Sequence, residues 1–292
     1  MSVSDISMSG RSALLTAVAV CTVYPHAAHA QAVDGYGNPT PTAANTGPNY
    51  PFTSFGQSNN PYLDKNETGE IEPSGPFASL PATVSKSGEI NQSASGYSYT
   101  NTTDPTDPGE LGSFYVLEGN SVDGVVLEND GALSYMVLYK NYADGASLTN
   151  TAGATFYIDG NSVDGVTIVN DGAKMYILNN SALDGAITNT NGGLMEVNGN
   201  TLTGGVITNG SDADTKVSHA IFRHNSANGI ELNTFGNSVV EFYGNDAANA
   251  VLHLGAATTT IVGDCSVSVG CVGPRGASLE NASVTNAGKM TV

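Results

Sequence analysis

Glu196, Arg223 and Glu241 are the residues of this 292-residue chain whose types and spacing come nearest to chemistry. If the segments carrying them are strands stacked one above another, all three face outward on consecutive turns, with Asn198 and Tyr243 beside them. His219, His224, Asp212 and Asp214 are close in sequence. Two carboxylates with a cation between them are the groups of a polysaccharide lyase or glycoside hydrolase. Two strand spacings would set Glu196 and Glu241 about 9–10 Å apart, near the upper edge of the inverting-hydrolase range. Ile221 falls between them and offers nothing to a proton transfer. The spacing therefore favours a solvated polar face with an Arg–Glu pair over a catalytic site.

Other chemistry is thinner. Asp123, Asp144 and Asp164 recur at one position and invite a calcium reading. Each precedes a glycine in an ordinary turn, where Asp bonds its own backbone, and the nonapeptide calcium repeat is missing. No Ser/His/Asp constellation, phosphate-binding loop, dinucleotide fingerprint or HExxH pattern occurs, so neither a metal nor another cofactor is expected. A net charge of −18 disfavours nucleic acid and anionic membranes as partners.

The elements that position these residues announce themselves by repetition. NSVDGVVLENDG at Asn120 returns as NSVDGVTIVNDG at Asn161. One asparagine marks each unit: Asn120, Asn141, Asn161, Asn180, Asn200, Asn225 and Asn245. Nine residues on stands a second series: Asn129, Asn150, Asn170, Asn189 and Asn209. Seven after each marker is an aliphatic residue: Leu127, Leu148, Ile168, Ile187, Ile207, Leu232, Leu252. Three before each is Leu117, Leu138, Ile158, Ile177, Val197, Phe222 or Phe242.

Within a unit the apolar positions alternate with polar ones, which is strand periodicity; between units they recur every twenty residues. Each unit reads as two short strands separated by Asn/Gly turns, where both residues tolerate positive φ. One unit cannot bury its apolar side, but a stack can, with like residues in ladders. The predicted fold is all-β: a right-handed parallel β-helix over residues 113–292. Its marker asparagines form structural ladders that bond one another and the turn backbone.

Two stretches interrupt the rhythm, Gly210–Thr215 and the segment from Cys265 to Val272. Both are expected to project as loops. Leu279 and Asn281 fit the seven and nine positions of a last coil, and Met290 and Val292 start a further strand. A stack stopping there would lack a capping unit, so more chain is expected to follow in the parent protein.

Residues 1–30 read as a secretory signal. Arg11 supplies its positive charge, Ser12–Tyr24 its apolar run and Ala28-His29-Ala30 its cleavage site. The run is too short for a bilayer span of about twenty residues. Export removes Cys21 and carries Cys265 and Cys271 into an oxidising compartment, where they are expected to pair. Residues 31–112 are rich in Pro, Asn, Ser, Thr and Gly. They read as a low-complexity segment, disordered or a loosely ordered cap, with Tyr50, Phe52, Phe55 and Tyr62 available to dock on the next domain.

A signal segment, a low-complexity lead-in and Gly/Asn-rich coils with N-x-x-D-G and N-D-G-A turns resemble a bacterial autotransporter passenger domain, pertactin-like, of the type V secretion class. The resemblance covers the signal segment and residues 113–292. It implies export through the periplasm, passage over the outer membrane, and display at or release from the cell surface. That family carries a C-terminal β-barrel translocator with a terminal aromatic residue. No such segment occurs in this chain, which reads as a passenger without its barrel. The expected function is adhesion or surface display toward a surface glycan or protein. A polysaccharide-active enzyme ranks second and a secreted effector third.

Overall fold

The computed structural model describes residues 61–65, 71–80, 84–90, 98–102, 112–119, 123–181, 183–256, 258–263 and 280–291. All belong to one compact unit, Ala32–Val292; a second, Met1–Gln31, contains the expected signal segment and lies outside the described residues. Among the described residues no helix is long and apolar enough to cross a membrane.

The chain winds as a parallel β-helix. One face is a nine-stranded parallel sheet running from Ser98–Thr102 to Ser283–Asn286. A second is a ten-stranded parallel sheet running from Val84–Ile90 to Lys289–Thr291. At strand spacing the taller sheet rises roughly 40–45 Å. Register follows the sequence repeat without a slip through the central coils. Leu127 pairs with Leu148, Leu148 with Ile168, Ile168 with Ile187, Ile187 with Ile207, Ile207 with Leu232, and Leu232 with Leu252. Every member of this ladder is buried. The facing ladder, from Leu117 through Ile158 and Val197 to Phe242, is equally buried. A one-residue slip would turn either ladder out to water, which is why the apolar alternation fixes the pairing.

Asparagine ladders close two corners. Asn161 Nδ2 donates to Asn180 Oδ1 at 3.0 Å and to the Leu138 carbonyl at 2.8 Å. Its Oδ1 accepts from both the backbone N and the Nδ2 of Asn141. The pattern continues through Asn180, Asn200 and Asn225 to Asn245. The second ladder runs from Asn101 through Asn129, Asn150, Asn170 and Asn189 to Asn209, each Nδ2 donating to the next Oδ1 at 2.7–2.9 Å. These side chains are buried. A buried amide is tolerated only when its donors and acceptors are met, and here the coil above and the coil below meet them.

Three sequence expectations change. Coils have three faces: Thr201–Thr203, Ser226–Asn228 and Asp246–Ala248 form a narrow third sheet. It is continued toward the N-terminus by single bridges Tyr142–Ser162 and Ser162–Ser181. The stack also begins before residue 113, inside the stretch read as low complexity. Val84–Ile90 pairs in parallel with Gly112–Glu118, and Ser98–Thr102 with Val126–Asp130. At the far end Val284 and Asn286 lie opposite Leu252 and Leu254 and so take the seven and nine positions. Asn281 is a turn residue with φ 52°, matching Asn249 at 53°. The error came from the length of the second insertion, which no repeat motif marks. Met290 does enter the next strand, opposite Thr260.

The insertion Gly210–Thr215 folds back on its own corner. Asp214 Oδ2 accepts from Asn191 N at 2.9 Å, Ser211 N at 3.1 Å and Ser218 Oγ at 3.1 Å. Asp212, Ala213 and Thr215 remain exposed. The segment with Cys265 and Cys271 lies outside the described residues.

Residues 61–65 and 71–80 form a strap across the outside of the ten-stranded sheet. Leu63–Lys65 pairs antiparallel with Ile71–Pro73, and a 3-10 turn Gly75–Phe77 follows. Ser74 N donates to the Tyr62 carbonyl at 2.8 Å, tying the two ends together. Tyr62 and Phe77 are buried with Phe114, Val116, Val137 and Tyr139, and Leu80, Tyr135 and Tyr157 pack against them. Gly112–Glu118 is consequently buried on both faces.

Candidate functional site

The outward slots of the ten-stranded sheet change character along the axis. The slot four residues before each marker asparagine reads Val116, Val137, Tyr157, Tyr176, Glu196, Ile221 and Glu241, each opposite the next. The first two lie under the strap. Tyr157 is held by Phe77 and Tyr62, with ring centroids 5.0 and 5.6 Å away. Tyr176 stacks on Tyr157 at 4.4 Å and 21°, the offset-parallel geometry aromatic pairs favour. Glu196 follows on the next coil, so Tyr176 is the last ring of the row.

Beyond it lie the charged residues. Ser218–Arg223 alternates inward Ser218, Ala220 and Phe222 with outward His219, Ile221 and Arg223. Arg223 Nη1 donates to Glu196 Oε1 at 2.8 Å on the coil below. His219 Nε2 lies 2.8 Å from Glu241 Oε1 on the coil above. A carboxylate only accepts, so the imidazole presents a proton on that nitrogen. Both pairs are diagonal across the sheet, a reach open to long side chains. They flank Ile221, which sits directly opposite both Glu196 and Glu241. These side chains are 20–33% exposed: set into the face, but open to solvent.

Tyrosines frame the cluster. Burial pushes the Tyr157 phenol up to about 12, with Tyr176 and Glu196 adding to it. Burial and then Glu196 raise that of Tyr176. Tyr243 is raised by burial and by its hydrogen bond to Glu241. All three are neutral donors at physiological pH.

The structure thus gathers Glu196, Arg223 and Glu241 on one face, as the spacing suggested, and adds His219 as the partner of Glu241. It does not turn the two carboxylates toward each other; Glu196 is engaged by Arg223 and Glu241 by His219. Asp212 and Asp214 belong to the insertion at the other end of the strand. His224 is a turn residue with φ 52°. Asp123, Asp144 and Asp164 are exposed on a corner where Gly124 N and Gly145 N bond the Asp144 and Asp164 carbonyls. Among the described residues no three of His, Cys, Asp and Glu come together as a metal site.

Tyr62 docks on the stack, as its type allowed, but the strap that carries it and the Tyr157–Tyr176 stack were not anticipated. A signal existed: GSFYVLE and SYMVLY carry unbroken apolar runs where a one-sided strand alternates, which means burial on both faces. The aromatic row is likewise visible once the slot four before each marker is read down the repeats.

No family model, curated protein or solved structure matches this chain.

Proposed function

We propose that this is an exported cell-surface β-helix protein, of the autotransporter-passenger kind, that acts in adhesion or surface display. The observation that carries the reading is the rigid parallel stack. Its corners are locked by two buried asparagine ladders, and an aromatic strap is docked on its outer face. Such a stack holds one long surface at fixed geometry. The signal-like segment at residues 1–30 supports export.

The experiment is localisation in the native host. Intact cells are treated with protease and probed with antibody against the stack. Loss of signal from intact cells, together with reduced attachment of a deletion strain, is the expected result. Protein protected until the cells are lysed would overturn the reading.

The runner-up is a polysaccharide lyase or glycoside hydrolase using Glu196, Arg223 and Glu241, favoured by the convergence of those residues on one face. The purified chain is expected to release no reducing ends or unsaturated products from pectin, alginate or related glycans. Activity abolished by Glu241→Gln would establish the enzyme instead.

A further inference from the structure

The geometry points to a binding step for a neutral, polyhydroxylated glycan chain on the face beside the strap. Tyr176 is its platform and Glu196, Arg223, His219 and Glu241 are its polar groups. This rests on the surface-display reading and names the partner for it.

The platform is built from the strap outward. Phe77 and Tyr62 hold Tyr157, and Tyr157 holds Tyr176. Tyr176 is half-buried and ends the row, because the next residue in its slot is Glu196. A ring fixed from one side by a relay of packed rings loses little freedom when a ligand covers what remains open. The strap also rises over the sheet just before this ring, so the open face starts as a step with one wall.

The polar groups select against charge. Glu196 already has the Arg223 guanidinium, and Glu241 the His219 imidazole, at 2.8 Å through one oxygen each. Glu196 and Arg223 are about four-fifths buried, unlike the extended pairs of an ordinary solvated surface. A carboxylate has acceptor sites to spare beyond one contact, and a guanidinium has five donors. The two pairs therefore offer fixed donors and acceptors, with the Glu196 charge compensated by Arg223. Sugar hydroxyls, which donate and accept, match that pattern. A polyanion would face two carboxylates and a chain of net charge −18, and a polycation would have to displace Arg223 and His219. From Tyr176 to Glu241 the slots span three strand spacings, about 14 Å, room for several sugar units.

The test uses the full purified chain in affinity electrophoresis and titration calorimetry. Soluble xyloglucan, glucomannan and laminarin are the neutral probes, and polygalacturonate and heparin the anionic ones. At least one neutral polymer is expected to retard the chain, and neither anionic one. Tyr176→Ala and Glu241→Gln should each weaken binding about tenfold or more. Phe77→Leu should weaken it less, acting only through Tyr157. Thr188→Ala on the nine-stranded sheet should change nothing. Thermal melting of each variant separates lost binding from lost fold, and the near-isosteric Glu241→Gln keeps the test decisive if Tyr176→Ala unfolds. Retardation by no neutral polymer, preference for an anionic one, or full binding by folded Tyr176→Ala and Glu241→Gln variants each overturns the inference. Surface exposure on cells without glycan retention overturns this inference alone. Glycan retention by a protein confined inside the cell overturns the display reading alone.

Discussion

Tyr62 donates a buried hydrogen bond to Asp159 Oδ2 at 2.8 Å, joining residues 97 positions apart. The bond fastens the strap to the outer face of the stack. Asp159 Oδ1 meanwhile accepts from Asn179 Nδ2 at 2.9 Å on the next coil. Tyr62→Phe keeps the ring packing and leaves one carboxylate oxygen without its donor. The expected cost is about 1–3 kcal/mol, read from the urea midpoint. Limited proteolysis should show faster cutting near residues 61–80. Unchanged protease resistance would mean the ring packing alone holds the strap.

Alkali should loosen the same contact. Burial first, then Asp159, hold the Tyr62 phenol well above its ordinary value of 10.0, and Tyr157 lies at about 12. Both shifts are upward, so the unfolded chain loses these protons first. The stability they contribute is whole below pH 10 and is lost as pH rises through the folded values. Urea midpoints should hold between pH 8 and 9, and fall for Tyr157 from pH 10 toward about 12. Tyr157→Phe should flatten part of that fall; an equal fall in the variant would assign it elsewhere.

Asn180→Ala tests the corner ladder. It strips the acceptor used by Asn161 N and Nδ2 and the donor that meets Asn200 Oδ1. Several buried groups lose partners at once, so a loss of about 3–5 kcal/mol is expected. Asn198→Ala, on the outward face two residues from a marker, should stay within about 0.5 kcal/mol. Equal effects in equilibrium unfolding would deny the ladder its role.

Gly185 stands where its neighbours in the stack are Val166 and Gly205. Its φ is 130°, and a Cβ there would run into the Val166 carbonyl. With Gly204 and Gly205 it borders a small dent lined by Ile187, Leu202 and Ile207. Filling that dent from Gly185 is barred by the backbone. Gly185→Ala should therefore destabilise, by about 1–3 kcal/mol or more. Ile168→Ala in the central ladder should cost about 2–5 kcal/mol through its cavity. A neutral Gly185→Ala in thermal melting would show that this turn can relax.

The expected Cys265–Cys271 bridge closes a short loop, so its effect is small. Intact mass under non-reducing alkylation should show both thiols blocked from labelling. Labelling of both would dismiss the bridge.

The sequence by itself determined the coil, because stacking makes the fold periodic in space at the period of the chain. Leu127 and Leu148 are 21 residues apart and directly opposite, so the repeat is already a contact map. The same periodicity put Glu196, Arg223 and Glu241 on one face. It failed wherever a contact is not periodic. Tyr62 reaches Asp159 from outside the repeats, and its partner depends on where the strap lies. His219 finds Glu241 through a diagonal of the sheet rather than an opposite slot. The last coil slipped by the unknown length of an insertion. Tertiary structure alone decided that the polar face begins beside a docked aromatic strap and that His219 engages Glu241. Those are properties of side chains meeting across the outer surface, where no buried ladder dictates the neighbour.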